Sequence, residues 1–381
     1  MNRYRILLIL PSFDSGGAEN YALRLINFAG HERYEWHVTS GNLQNAQLRP
    51  AFLAAGAKVH SRTTGYLNPR KAFRFWRFVR QNSFDAVVSF NGIFSANAML
   101  ISWLNRVPSR ITWHRCSRPA HSPSLGRSVY QSVAQKIIEY CSTRILSNSK
   151  SALDYFHPRR SQSTHLFQII PNGIDPKFTY SKNDELSVSL RKKLGIPEDA
   201  RVIGHIGRFT PAKDHETLLM VVQRLVQNDP KIRLLVAGTD TDSAAFSKLV
   251  SSYSLSSSAD CLGPLDNVSE LYRIMDVFLF PSVTEGQSNA LIEAMVTGVP
   301  IAASDILPNR ETIPPELERN LFTPRDVDVA TNIVLRLLQV SSLEQTRSIS
   351  LWAQDHYDAS RNFGRAIEAI IPVRPKRMIE I

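Results

Sequence analysis

The run Asp276-Val277-Phe278-Leu279-Phe280, stopped by Pro281 and followed after a short polar loop by the helical period of Ala290 to Val296, constrains the fold more than any other stretch. Consecutive apolar residues without alternation read as a strand buried on both faces, as in parallel sheets covered by helices. Pro281 ends that run, and Ser288 or Asn289 can cap the helix that follows. The segment Pro281 to Met295 is then the loop and helix start of a βα unit. It carries two carboxylates with seven residues between them, Glu285 in the loop and Glu293 about one turn into the helix.

A helix start preceded by Gly286-Gln287-Ser288-Asn289 turns backbone N–H groups outward, where an anion binds, and a diphosphate fits that description. Carboxylates flanking such a cradle supply acceptors for sugar and ribose hydroxyls. The layout suits a nucleotide sugar. An acidic first turn favoured by the helix dipole explains one Glu without any ligand.

Strand and helix patterns alternate throughout. Arg5 to Leu10, Glu35 to Thr39, Lys58 to His60, Ala86 to Ser89, Arg110 to His114 and Arg144 to Ser147 read as strands. Helices fall over Ala18 to Phe28, Pro50 to Ala55, Pro69 to Gln81, Phe94 to Asn105 and Tyr130 to Tyr140. A second series has strands at Val202 to Ile206, Ile232 to Ala237, Val277 to Phe280 and Ile301 to Ala303. This pattern predicts α/β architecture with doubly wound parallel sheets. At 381 residues the chain exceeds one ordinary core. Enrichment in Pro, Asn, Ser and Lys over 171 to 184 predicts a joint near residue 170. The expected organisation is two Rossmann-like domains, 1–170 and 171–359, facing each other across a cleft. Neither half has GxGxxG after its first strand and no GxxxxGK[ST] occurs, so dehydrogenase and P-loop readings lose their main support.

Cys116, Cys141 and Cys261 are scattered and odd in number, which supports neither a disulfide framework nor a zinc site and favours a reducing cytoplasm. No run approaches the ~20 apolar residues of a membrane span. Basicity is concentrated. Through residue 180 there are 23 Lys and Arg against 8 Asp and Glu, and thereafter 22 against 26. Such a basic half attracts nucleic acid, anionic lipid or an anionic substrate. Nothing resembles a nucleic-acid module, so no nucleic acid partner is expected. The segment Pro69 to Gln81 combines Arg70, Lys71, Arg74, Arg77 and Arg80 with Phe73, Phe75, Trp76, Phe78 and Val79. It reads as a sheet-packing helix whose basic face can also meet an anionic membrane.

These residues carry a family likeness over essentially the whole length. The chain resembles the retaining glycosyltransferases of family four, which have the GT-B fold. The Glu285 and Glu293 pair inside EGQSNALIEAMVTGVPIAASD is the most specific match; SGGAE at 15 to 19, NSK at 148 to 150, PNGID at 171 to 175 and IGRFTPAKDHETLL at 206 to 219 support it. The resemblance implies an acceptor-binding N-terminal domain, a donor-binding C-terminal domain and a final helix, Ser360 to Ile371 within 360–381, crossing back to the first.

Within the likeness, Arg208 and Lys213 contact the donor diphosphate, Glu285 binds hydroxyls of the transferred sugar and Glu293 holds the ribose. Gly286, Gln287, Ser288, Asn289 and Ala290 line the phosphate pocket. Gly207 is compatible with a tight strand-to-loop turn, with Lys213 projecting back over the same site, and Gly16-Gly17 resembles the loop that brings N-terminal backbone close to the donor phosphate. The family often has Pro where Ser288 stands, so UDP-sugar and GDP-sugar donors both stay open. His114 takes the acceptor-side role at the end of its strand. The bland alternative for it is an ordinary core or surface imidazole such as His31 or His157. Arg115 and Arg118 are candidates to meet an acceptor phosphate.

A departing diphosphate gains negative charge that fixed cations and helix N–H groups stabilise, so no metal or other cofactor is expected. The expected function is retaining transfer of a hexose-type sugar to a glycan or lipid-linked acceptor in bacterial surface polysaccharide synthesis. The expected location is cytoplasmic, peripheral at the inner face of the membrane. Two other classes share the architecture: a non-hydrolysing nucleotide-sugar epimerase, which lacks support from the Glu pair, and a silent scaffold of a polysaccharide assembly complex, against which the intact Glu285, Glu293, Arg208 and Lys213 argue.

Overall fold

The computed structural model describes residues 3–14, 16–41, 46–65, 68–115, 125–158, 160, 166–174, 185–265, 267–340 and 343–371. Ser15, Cys116, Arg118, Asp175, the joint over 175–184 and the tail after Ile371 lie outside them. The chain divides into two compact units, Met1–Gly173 with Ala359–Ile381, and Ile174–Asp358.

In the first unit, β1 (Tyr4–Ile9), β2 (Tyr34–Ser40), β3 (Lys58–Ser61), β4 (Ala86–Ser89), β5 (Ser109–His114), β6 (Arg144–Ser147) and β7 (Phe167–Ile169) form a parallel sheet in the order β3-β2-β1-β4-β5-β6-β7. Side chains alternate across the pleat. From β1, Ile6 and Leu8 enter one core with Tyr21 and Trp113, while Leu7 and Ile9 enter another with Phe75 and Val79. That double burial is why the strand reads as an unbroken apolar run.

The helix Ala359–Ile370 belongs to this unit despite its place at the end of the chain. Phe363, Ile367 and Ile370 join the core of Ile6 and Leu8, each burial worth roughly 1.5–3 kcal/mol. Arg144 Nη1 donates to the carbonyls of Glu368 and Ala369 at 3.1 and 2.6 Å, and Asn362 Nδ2 donates to the Asn172 carbonyl at 3.1 Å. A Cβ on Gly173 would stand 2.9 Å from Ala359 Cα, so the PNG motif is where this helix docks against the backbone.

In the second unit, β8 (Arg201–Ile206), β9 (Ile232–Ala237), β10 (Ala259–Cys261), β11 (Val277–Phe280), β12 (Ile301–Ser304) and β13 (Leu321–Phe322) form a parallel sheet ordered β10-β9-β8-β11-β12-β13. Phe278 and Phe280 face one core, Val277 and Leu279 the other.

Three edge strands, β7, β10 and β13, give no strand period in the sequence because they are only two or three residues long. The helix expected over Tyr130 to Tyr140 runs from Leu125 to Cys141. The one expected from Phe94 begins as a 3-10 turn, Gly92–Ser95, before Ala96–Leu104.

The helix Pro69–Asn82 is capped by Asn68, whose side chain accepts from Lys71 N at 3.1 Å. Phe75, Phe78 and Val79 are buried against the sheet, and Arg70, Lys71, Arg74, Arg77 and Arg80 are exposed. Phe73 is 61% exposed and stacks on Trp76, over which Arg80 lies at 5.3 Å. Among the described residues, no helix is long and apolar enough to cross a membrane.

Candidate active site

The strand order of the second unit creates the site. The chain leaves β8 toward β9 and β10, then returns to β11 on the other side of β8. In open α/β sheets such a reversal leaves the loops after the two central strands diverging, and ligands bind at that carboxyl edge. The loop after β8 carries Gly207, Arg208 and Lys213; the loop after β11 carries Glu285 to Ser288.

Lys213 ends the 3-10 turn Pro211–Lys213, and the chain leaves it through Asp214 in a left-handed conformation, φ 49° and ψ 55°. A non-glycine residue there is uncommon, Asp tolerating it better than most. The carboxylate of Asp214 accepts from Thr217 Oγ1 at 2.7 Å, and the next helix starts at His215. Val283 N donates to the Ala212 carbonyl at 2.9 Å, which ties the two loops together.

Lys213 Nζ donates to Glu285 Oε1 at 2.5 Å, and lies 4.8 Å from the Phe280 ring centroid. The partners are 18% and 13% exposed, so their attraction is less screened than that of a surface pair. The structure thus brings together two residues 72 positions apart that the family resemblance assigns to one ligand. Arg208 stands exposed on the same loop.

Gly207 is not in a left-handed turn. Its small size serves contact instead: a Cβ there would sit 3.2 and 3.3 Å from Lys213 Cδ and Cε, so the lysine stem lies across it. Gly238, after β9, is the sharper constraint and went unnoticed in the sequence. With φ 144°, its missing Cβ would fall 2.2 Å from the Gly207 carbonyl oxygen and 3.1 Å from Arg208 N. We expect Gly238→Ala to destabilise this unit by about 3 kcal/mol or more, since backbone must move, read as a fall in the urea midpoint.

The helix Asn289–Val296 is capped by Ser288, whose Oγ accepts from Leu291 N at 3.4 Å. Gly286 is buried, while Gln287, Asn289 and Ala290 are partly exposed along the loop and helix start. Glu293 is 7% exposed and points toward the 3-10 turn Ser269–Ile274, where Tyr272 OH reaches Glu293 Oε2 at 3.1 Å and the Ala290 carbonyl at 3.0 Å. Tyr272 had no signal in the sequence beyond an aromatic residue before a buried strand.

In the first unit, the residues expected to act fall after β1 and β5. Gly16 is extended and caps the helix Gly17–Ala29; a Cβ on it would meet Glu19 Oε2 at 2.3 Å. Glu19 folds back over the helix start and accepts from Ser12 N and Oγ at 3.3 and 3.1 Å. Gly17 has open space where its side chain would be. Arg115 lies 3.9 Å from the Tyr21 ring centroid, and burial pulls its guanidinium down to about 10.

His114 is fully buried at the end of β5 and stacks on Phe156 with centroids 4.5 Å apart. Its Nε2 is 3.0 Å from His157 Nε2, and His157 Nδ1 is 2.6 Å from Glu139 Oε1. His157, taken from the sequence as an example of an unremarkable imidazole, is therefore His114's partner. The NSK motif explains its placement: Ser149 caps the helix Lys150–Phe156 by accepting from Ala152 N, and His157 closes that helix.

Residues 188–349 match the family described as glycosyl transferases group 1, and residues 15–178 match glycosyltransferase family 4. EpsF of Bacillus subtilis (strain 168) is 23% identical over 363 residues, covering 94% of each chain. The capsular polysaccharide biosynthesis glycosyltransferase CapH of Staphylococcus aureus is 26% identical over 81% of this chain and 83% of its own. Anabaena HepE, solved with UDP and glucose, superposes with a TM-score of 0.80 at 18% identity, over 97% of this chain and 99% of its own. The parallel sheets, the paired loops at the reversal of strand order and these matches lead to one conclusion: the chain belongs to the GT-B glycosyltransferases of the family 4 type, related to enzymes of polysaccharide biosynthesis.

Proposed function

We propose that this glycosyltransferase moves a hexose from a nucleoside diphosphate donor to an acceptor hydroxyl with retention of anomeric configuration. The observation that carries the reading is the Lys213–Glu285 pair at the carboxyl edge of β8 and β11, next to the Ser288-capped helix start. A cation, helix N–H groups and a carboxylate at one edge match a donor that is phosphate at one end and polyol at the other. HepE has been solved with UDP-glucose, which supports a uridine nucleotide over a guanosine one. Arg208 and Lys213 take the diphosphate, Glu285 the hexose and Glu293 the ribose. Gly16 and Gly17 belong to the donor-binding set on this reading, and His114 takes the acceptor-side role.

On this reading the bond from the anomeric carbon to the phosphate oxygen breaks as the acceptor oxygen bonds to the same face, and the acceptor's proton passes to the departing phosphate. The protein supplies position and charge stabilisation. Because side-chain cations and N–H groups already meet the leaving group, EDTA is expected to leave the rate unchanged. Calorimetry with UDP, GDP and their hexose conjugates tests the donor; no heat of binding with any of them ends the proposal. An inverted anomer in a freshly formed product, followed by NMR, ends the retaining mechanism. Tyr272→Phe removes a donor to Glu293 and is expected to weaken UDP binding about tenfold or more, from a hydrogen bond to a charged group of ~1.5–3 kcal/mol.

The acceptor proposed is a lipid-linked glycan at an anionic membrane surface. The exposed cations of Pro69–Asn82 with Phe73 and Trp76 among them support this. At about 1 kcal/mol per basic residue near such a surface, the double variant Arg74→Glu, Arg77→Glu is expected to lower binding to phosphatidylglycerol vesicles by more than tenfold. Salt-insensitive binding, or none by the native chain, would remove the membrane component.

A further inference from the structure

His114 has an incomplete hydrogen-bond account. Its Nε2 meets His157 Nε2, while its buried Nδ1 has no hydrogen-bond partner among the described residues. That Nδ1 faces Gly92, the left-handed residue (φ +55°) that follows β4, where the absent side chain leaves space; a Cβ there would stand 3.8 Å away. Where two imidazole nitrogens touch, one carries the proton and the other the lone pair. Glu139 decides which. A carboxylate only accepts, so His157 holds its proton on Nδ1, and a neutral His157 offers a lone pair at Nε2. His114 must then donate from Nε2, and its Nδ1 is left as a bare acceptor.

We propose that Glu139 and His157 are positioning residues that lock His114 as the Nε2–H tautomer, so that its buried Nδ1 accepts a hydrogen bond from a hydroxyl of the substrate. The lock is assembled from three elements: the helix Leu125–Cys141 brings Glu139, the end of Lys150–Phe156 brings His157, and β5 brings His114. Orienting partners of this kind are known to fix histidine tautomers. The ligand chemistry follows: a neutral acceptor selects an O–H donor, not a phosphate or carboxylate oxygen.

The groups acting on His157 are Glu139, which favours its protonated form, and Arg160, which opposes it; burial, acting in the same direction as Arg160, outweighs Glu139 and keeps it neutral. Acid reverses the chain of bonds. A doubly protonated His157 donates on both sides, His114 Nε2 becomes the acceptor and Nδ1 takes the proton.

The tautomer is independent of the proposed transferase reading; only its catalytic consequence rests on that reading. Histidine ¹⁵N spectra of the full chain are expected to show His114 Nδ1 unprotonated and Nε2 protonated at neutral pH. Glu139→Lys presents a donor to His157 and is expected to invert that pattern and lower kcat about tenfold or more, with UDP affinity within twofold of the native value. His157→Gln, whose amide oxygen accepts the same bond, is expected to retain more activity than His157→Leu. Glu139→Ala is expected to move the acid limb of kcat to lower pH, a change that a packing role does not produce. A protonated Nδ1 in the native chain overturns the proposal. An inverted tautomer without loss of kcat overturns the positioning role, while nucleotide binding by calorimetry judges the transferase reading separately.

Discussion

Lys213→Ala is expected to lower kcat by about 10²- to 10³-fold, the range found when one preorganised stabiliser of developing charge is removed. The lysine is held from four directions. Its stem crosses Gly207, its ammonium lies over Phe280 and pairs with Glu285, and the Pro211–Lys213 turn fixes its backbone. On the proposed reading, that confinement limits the entropy lost when a diphosphate binds, so the cation's attraction goes to the leaving group. Lys213→Arg is not a mild change, because a bulky planar guanidinium on a shorter methylene stem cannot keep both the Gly207 contact and the Glu285 distance.

Two contributions mix in Lys213→Ala, since it also strands a partly buried carboxylate. The cycle with Glu285→Gln separates them. If Lys213 served only to neutralise Glu285, the double variant would recover much of the loss. If it acts on the diphosphate, the double variant stays at or below the Lys213→Ala rate, and loss in kcat exceeds loss in donor affinity. Initial rates with UDP-hexose across a concentration series decide; a Lys213→Ala enzyme retaining more than about a third of native kcat would remove the lysine from the reaction.

Strands bounded on both sides were legible from the chain. β11 is read to the residue because Asp276 and Pro281 bracket an apolar run, and β4, β6 and β9 are matched equally well. β7, β10 and β13 pair on one side only and carry little apolar contrast, so no period announces them. The placement of the candidate site was legible where its residues are local, as in Ser288, Glu285 and Glu293 on one loop and helix. It was illegible where partners meet through the fold. Tyr272 reaches Glu293 from another turn, Glu139 reaches His157 from another helix, and Gly238 matters only because Gly207 backbone passes beside it. Gly207 itself shows the difference: a glycine in a loop suggests a turn, yet here its missing side chain makes room for a lysine.

Acid is expected to destabilise the fold well before its carboxylates titrate, because six described histidines, His37, His60, His114, His157, His205 and His215, have burial as the first cause holding them in the neutral form. His215 is the clearest case. It packs edge-on against Phe209 and Phe246 with centroids 5.5 and 5.2 Å away, neither ring nitrogen has a partner among the described residues, and burial lowers its pKa from 6.5 to about 4. Between those values the unfolded chain takes up a proton that the folded chain refuses. Stability is therefore full above pH 6.5 and declines as pH falls toward 4, by about 2 kcal/mol at pH 5 from His215 alone. Glu35 acts in a separate window. Bonds from Lys58 and His37 hold it down at about 2, so its contribution persists through pH 5 and is lost only in stronger acid. His215→Phe keeps the ring among its aromatic neighbours and removes two buried nitrogens that lack partners. It is expected to raise stability at both pH values and by roughly 2 kcal/mol more at pH 5 than at pH 7.5, measured as the change in urea unfolding of Ile174–Asp358 followed by hydrogen exchange. An equal effect at the two pH values would mean that His215 takes up its proton over the same pH range folded and unfolded, and that the acid limb belongs to the other five histidines.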